Sequence, residues 1–315
     1  ASLVAEEISA REVAAVISNM LGSLTRHAAI IGEQRMQNDG HGAAPCPYAL
    51  AVLGSAGREE SLLAMDQDNA IVFAEGEPGG EHDKWFAALG THVADILHAA
   101  GVPYCRGGVM AKNSEWRGSL ATWKARIEQW VRRSKPEDLL SVDIFFDLRG
   151  VHGDAALADH VWRMGFETAR GQVEFAKLLA ESAGPVEPSL GLLGGFKTKE
   201  GRIDLKKAGL FGIVSTARVL AVCHHVVERS TVPRLAGVKA IYPRAQGDLD
   251  AIADAQGSFL RFLLGQQIED IAHGVPASNA VQVARLPRRD RDELRAALHA
   301  VAHLDELTRN LLFAK

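Results

Sequence analysis

Two carboxylates one residue apart, Asp66 and Asp68, stand between a glycine-serine turn and an apolar run, and this segment constrains the chain more than any other. The stretch Ala49-Leu50-Ala51-Val52-Leu53 ends in Gly54-Ser55, with Gly57 and Arg58 close behind, and Ala70-Ile71-Val72-Phe73 follows the acids. The pattern reads as a strand, a tight turn into a helix, and a second strand presenting paired acids. Side chains alternate along a strand, so Asp66 and Asp68 share one face and Gln67 and Asn69 the other. Carboxylates that close repel each other and are tolerated around a divalent cation, or where one stays protonated. Hard oxygen donors suit magnesium, which commonly bridges carboxylates and substrate phosphates. The turn would bring backbone N–H groups of Gly54 and the Ser55 hydroxyl to phosphate oxygens. Arg58, one turn on, would add charge-assisted bonds to them.

A third acid is expected on a neighbouring strand. Leu139 to Leu148 is β-branched and aromatic, with Asp143 and Asp147 embedded four residues apart, and reads as that strand. An acid in so apolar a run is costly to bury unless paired or metal-bound. Asp143, at mid-run, is the expected third ligand; Asp147 is expected to pair with Arg149. Further along, Gly107-Gly108 would let the backbone pass close to a ligand, and Lys112 and Asn113 are expected phosphate or sugar contacts. The tryptophan stripe Trp123–Trp130 is expected to be core. In the later half, Asp204 and Lys206 open a helix. Arg218 is the most unusual charge within it, either paired with an internal acid or turned toward a nucleotide.

A chain of 315 residues is long for one core, so two domains are expected. Apolar residues make up 47% and charged residues 23%, which excludes a wholly disordered chain. The net charge of −4 argues against a large nucleic-acid footprint. Three widely spaced cysteines, Cys46, Cys105 and Cys223, give neither a disulfide framework nor a zinc pairing, and a reducing cytoplasm is expected. The longest apolar stretch, Ala208 to Val227, carries Arg218 and two histidines and is too interrupted to span a membrane.

Apolar residues recur at helical spacing from Val4 to Ile31, so one long amphipathic helix leads in, as packing for the next domain or as a linker to a domain upstream. After Asp154 the strand signals fade. Helices are expected over Asp154–Ala183, Asp204–Glu228, Asp248–His273 and Asp290–Phe313, with breaks at Gly184-Pro185, Gly191 to Gly195, Pro233, Pro276 and Pro287. The expected fold class is α+β: an N-terminal helix (1–40), an α/β domain with a small mixed sheet (41–152), and an all-α helical bundle (153–315) with the boundary near Gly150–Gly153.

Taken together, Gly54-Ser55-Ala56-Gly57-Arg58-Glu59-Glu60, Asp66-Gln67-Asp68-Asn69, Gly107 to Asn113, Trp116-Arg117-Gly118-Ser119 and Val142 to Asp147 resemble the nucleotidyltransferase superfamily that includes DNA polymerase β. The closer likeness is to bacterial putative nucleotidyltransferases often fused to cyclic-nucleotide-binding and CBS domains, related to the uridylyltransferase of the PII protein and the adenylyltransferase of glutamine synthetase. Ile203-Asp204-Leu205-Lys206 and Ser230 to Leu235 extend it into the C-terminal half. The superfamily usually has apolar residues where this chain has Gln67 and Asn69. The resemblance implies a two-metal mechanism using magnesium, with manganese as an alternative. Asp66, Asp68 and Asp143 would be metal ligands, and Gly54, Ser55, Arg58, Gly108, Lys112, Asp204, Lys206 and Arg218 nucleotide contacts. A nucleoside monophosphate would pass from a triphosphate to a hydroxyl acceptor, a signalling protein or a small molecule, with release of pyrophosphate. The alternative it leaves open is a catalytically inactive nucleotide sensor.

Overall fold

The computed structural model describes residues 8–133, 142–182, 189–191 and 194–313. These divide into two compact units. One holds residues 16–61 and 65–169; the other holds residues 8–15, 62–64 and the described residues from 170 onward. The beginning of the lead-in helix at residues 3–7, the expected strand start at Leu139 and the break at Gly184-Pro185 lie outside the described residues.

The first unit is built on a four-stranded mixed sheet. Helix α1 (Ala10–Asn38) leads in and contributes from residue 16. It is followed by β1 (Tyr48–Val52), the single turn α2 (Gly54–Gly57), β2 (Asn69–Phe73), α3 (Glu81–Ala99), β3 (Arg117–Ser119), α4 (Leu120–Arg133), β4 (Arg149–Gly153) and α5 (Ala155–Ala169). The strand order is β3-β2-β1-β4. β1 runs antiparallel to β2 and β4, and β2 runs parallel to β3. β1 and β2 are buried along their whole length, so both faces of the sheet are covered. Leu21 and Met36 of α1 and Phe86, Leu89 and Val93 of α3 pack with Leu50, Ile71 and Phe73. The Phe73 and Phe86 rings stack at 4.5 Å. A second aromatic group links Trp123, Phe145, Phe146 and Phe166, and the Trp123 indole N–H donates to the Ile71 carbonyl at 3.1 Å. The tryptophan stripe is therefore core.

Residues 142–145 are helical and the edge strand begins only at Arg149. A short buried apolar run has no periodicity to separate strand from helix, so the pattern that suggests a strand across Asp143 is equally compatible with the helical turn found there. The sheet unit also continues past the expected boundary to Ala169, because α5 packs on β1 and β4.

The second unit comprises α6 (Val173–Ser182), β5 (Arg202–Asp204), a π-helical stretch (Lys206–Leu210), α7 (Phe211–Cys223), α8 (Thr231–Ile241), α9 (Gln246–Ala272), β6 (Ala280–Gln282), α10 (Arg288–Val301) and α11 (Leu304–Leu312). It is helical but not all-helical: β5 and β6 pair antiparallel, Arg202 opposite Gln282. Pro233, expected as a break, lies in the first turn of α8, where a missing N–H is tolerated. The seam from Leu294 to Leu311 is divided between α10 and α11. Among the described residues, no helix is long and apolar enough to cross a membrane.

Candidate active site

Val52 at the end of β1 faces Asn69 at the start of β2, so the glycine turn and the acids emerge at the same margin of the sheet. Gly54 has φ +56, and a Cβ there would lie 2.5 Å from Asp68 Oδ2 and 3.4 Å from Ile144 Cδ1. A side chain there would strain the left-handed backbone and force the Asp68 carboxylate to shift. The Leu53 N–H donates to the Asp68 carbonyl at 3.0 Å and fixes the approach. At Gly57 a Cβ would fall 1.9 Å from the Asp147 carbonyl oxygen. Two distant acid-bearing segments, 66–68 and 142–147, are thus seated on one bend. The helix expected after the bend is one turn only: Gly57 N–H donates to Leu53 and Arg58 N–H to Gly54. The Ser55 hydroxyl is bonded to that of Ser61 at 3.0 Å.

Asp66 is exposed and Asp68 half-buried, and both precede β2 rather than lying on it. The polar residues beside them point inward and tie down a loop. The buried Gln67 amide donates to the carbonyls of Ala94 at 2.9 Å and Val102 at 3.0 Å, while its backbone N–H donates to the Pro103 carbonyl. Asn69 Oδ1 accepts the Ala111 N–H at 2.8 Å, and the Asn69 N–H donates to Val109. Residues 102–111 are thereby strapped alongside the acid pair.

This strap brings in a residue that sequence reasoning did not assign. Asp66, Asp68 and Cys105 have ligand atoms within 4.8 Å of one another, the group of three such side chains found among the described residues. Burial pushes the Cys105 thiol up to about 12, helped by the charge of Asp68, a hydrogen bond to it and the charge of Asp66; a hydrogen bond from the Val109 backbone opposes them. The only signal in the sequence was its nearness to Gly107-Gly108, which gives no contact with residues nearly forty positions earlier.

Asp143 is buried on the helical turn and stands outside that 4.8 Å group. Asp147 does not pair with Arg149. It is fully buried and bonded by Arg58 Nη1 at 2.5 Å, while Arg58 Nε donates to Glu60 at 2.8 Å. Arg149 instead reaches Glu59 at 3.4 Å and the Ala56 carbonyl at 2.9 Å. Arg58 is therefore engaged by two carboxylates of the chain. Gly108 has φ +75, its carbonyl accepts from the Asn113 amide at 2.6 Å, and Lys112 Nζ sits 4.2 Å over the Tyr104 ring. Asp204, Lys206 and Arg218 belong to the helical unit: Asp204 is half-buried and accepts from the Lys207 N–H, Lys206 is exposed, and Arg218 is buried in α7.

The glycine-serine bend set against the Asp-x-Asp pair is the arrangement on which the likeness to nucleotidyltransferases rests. Two family models match the chain: Putative nucleotidyltransferase DUF294 over residues 1–137, and Putative nucleotidyltransferase substrate binding domain over residues 173–311. The chain belongs to this family of putative nucleotidyltransferases. No curated protein matches it. Asp204, Lys206 and Arg218 all fall within the segment matched as substrate-binding.

Proposed function

We propose that the protein transfers a nucleoside monophosphate from a magnesium-bound nucleoside triphosphate to a hydroxyl acceptor, releasing pyrophosphate. The observation that carries this reading is the Asp66–Asp68 pair set against the Gly54 bend, within the segment matched by the nucleotidyltransferase model. The donor set fits a hard cation: two carboxylates, one exposed and one half-buried, reachable from solvent. When bound, magnesium would neutralise phosphate charge and acidify the acceptor hydroxyl. Asp66 and Asp68 would hold it, with Asp143 as the third carboxylate, and manganese as an alternative ion.

The bend and its neighbours orient the triphosphate. Gly54 and Ser55 would offer backbone N–H groups and a hydroxyl, and Gly108 and Lys112 are proposed as further nucleotide contacts. Arg58 acts by positioning, holding the bend on Asp147. In the transfer, the acceptor oxygen bonds to the α-phosphorus as the bond to the pyrophosphate oxygen breaks, and the acceptor proton leaves to solvent. No nucleophilic side chain is required, since positioning and charge neutralisation carry such reactions. The helical unit, with Asp204, Lys206 and Arg218, is proposed to recognise substrate, and a protein of a signalling pathway is the proposed acceptor.

Calorimetric titration with each nucleoside triphosphate, with and without magnesium, tests the reading. Magnesium-dependent binding that is lost in Asp68→Ala, with pyrophosphate released on adding acceptor, is the expected result. Binding without any pyrophosphate release across an acceptor panel would favour the sensor. Absence of triphosphate binding would end both.

A further inference from the structure

Cys105 places a soft donor beside two hard ones, and we propose that Asp66, Asp68 and Cys105 form a site for a thiophilic divalent cation of the zinc type, which holds the acid pair closed to magnesium–nucleotide. The consequence as a brake rests on the nucleotidyltransferase reading; the cation site itself does not.

The geometry is close to what such an ion requires. The three ligand atoms lie within 4.8 Å of one another. Ligands at ~2.0–2.3 Å around a tetrahedral ion stand roughly 3.3–3.7 Å apart, a difference that rotation of the exposed Asp66 side chain can close. The chemistry separates two classes of ion. Magnesium takes oxygen donors and gains little from a sulfur, whereas zinc, cadmium and cobalt gain from a thiolate added to carboxylates. On binding, the Cys105 S–H bond is exchanged for a sulfur–metal bond and the proton leaves to the buffer.

Cys105 is also built in rather than incidental. The residues that follow each acid, Gln67 and Asn69, bond Pro103, Val102, Val109 and Ala111 on both sides of the cysteine. The Cys105 carbonyl accepts the Gly108 N–H at 3.1 Å, and the sulfur receives the Val109 backbone N–H. A backbone donor on sulfur supports a metal-bound thiolate in the way outer-sphere hydrogen bonds generally support metal ligands. Asp66 opens the site to solvent, which supplies an entry path. Three protein donors leave the remaining coordination position open. The other two thiols have different surroundings: Cys46 is buried and bonded to the Glu75 carbonyl, and Cys223 ends α7.

Cobalt titration of the full chain followed by absorbance reads the sulfur directly. The expected result is a thiolate-to-cobalt charge-transfer band that saturates at one equivalent, is lost in Cys105→Ser, and survives in Cys223→Ser. Zinc should displace the cobalt. Loss of an outer-sphere partner alone weakens metal sites about 10–100-fold, and removal of this direct donor is expected to weaken zinc by at least that. No band in the wild type, or a band unchanged in Cys105→Ser, overturns the proposal. Parallel calorimetry with magnesium and triphosphate keeps the two readings apart. A cobalt band without nucleotide binding sinks the brake and the nucleotidyltransferase reading but leaves the cation site; nucleotide binding without the band sinks the cation site and the brake with it, and leaves the nucleotidyltransferase reading.

Discussion

Asn69 Oδ1 accepts the backbone N–H of Ala111 at 2.8 Å, so the residue after Asp68 fixes the far end of the loop that carries Cys105. Both groups are buried. Replacing the side chain with an apolar one of similar size strands that N–H. Asn69→Leu is expected to cost about 1–3 kcal/mol and to raise amide exchange across residues 102–111 more than in the rest of the sheet. Hydrogen exchange read by mass spectrometry checks it; uniform acceleration would show that the loop is not selectively strapped.

A side chain at Gly54 is expected to be costly. A Cβ there would meet Asp68 Oδ2 at 2.5 Å on a backbone with φ +56. Strained left-handed positions cost about 1–3 kcal/mol, and the carboxylate must move to make room. Gly54→Ala should therefore lower thermal stability and also weaken metal binding at the acid pair. Stability lost with metal affinity intact would mean that Asp68 does not need its present position.

The Arg58–Asp147 pair should be a main support of the bend. Asp147 is fully buried and Arg58 nearly so, with 2.5 Å between them. Removing one member of a buried pair leaves a charge with less compensation, typically at about 3–5 kcal/mol. Asp147→Ala is expected toward the lower end, because Glu60 still bonds Arg58 at 2.8 Å. Urea denaturation measures this, and a change below about 1 kcal/mol would put the pair among the weak surface-type bridges.

The helical unit should lose stability in mild acid through His224. Burial lowers its pKa, outweighing the opposing bond with the Leu311 carbonyl. A depressed folded pKa means that the unfolded chain takes the proton first. The stabilisation is thus complete above the ordinary histidine value of about 6.5 and is lost as pH falls through the folded pKa. Denaturation midpoints at about pH 7.5 and pH 5 should differ more for the wild type than for His224→Gln. Equal differences would place the acid sensitivity elsewhere.

The acid pair was legible because its signal is local. Gly54-Ser55, Asp66 and Asp68 sit within one strand–turn–strand unit, where alternation and turn chemistry act over a few residues. The surroundings of the pair were not legible in that way. Asp143 lies in an apolar run whose burial erases the periodic contrast between helix and strand, so its helical turn was read as a strand. Arg58 carries the charge suited to a phosphate, yet two carboxylates of the chain, Glu60 and Asp147, already engage it. Gln67 and Asn69 looked like departures from a pattern until their hydrogen bonds to the loop gave them a task.

By itself the sequence determined the α+β class, the order of its parts and the presence of paired acids on a glycine bend, since each follows from spacing over one or two turns of chain. Only the tertiary structure decided which side chains stand next to those acids. Buried backbone groups must find partners, and here they find them in Gln67 and Asn69, which draws Cys105 to within 4.8 Å of carboxylates from which the chain separates it.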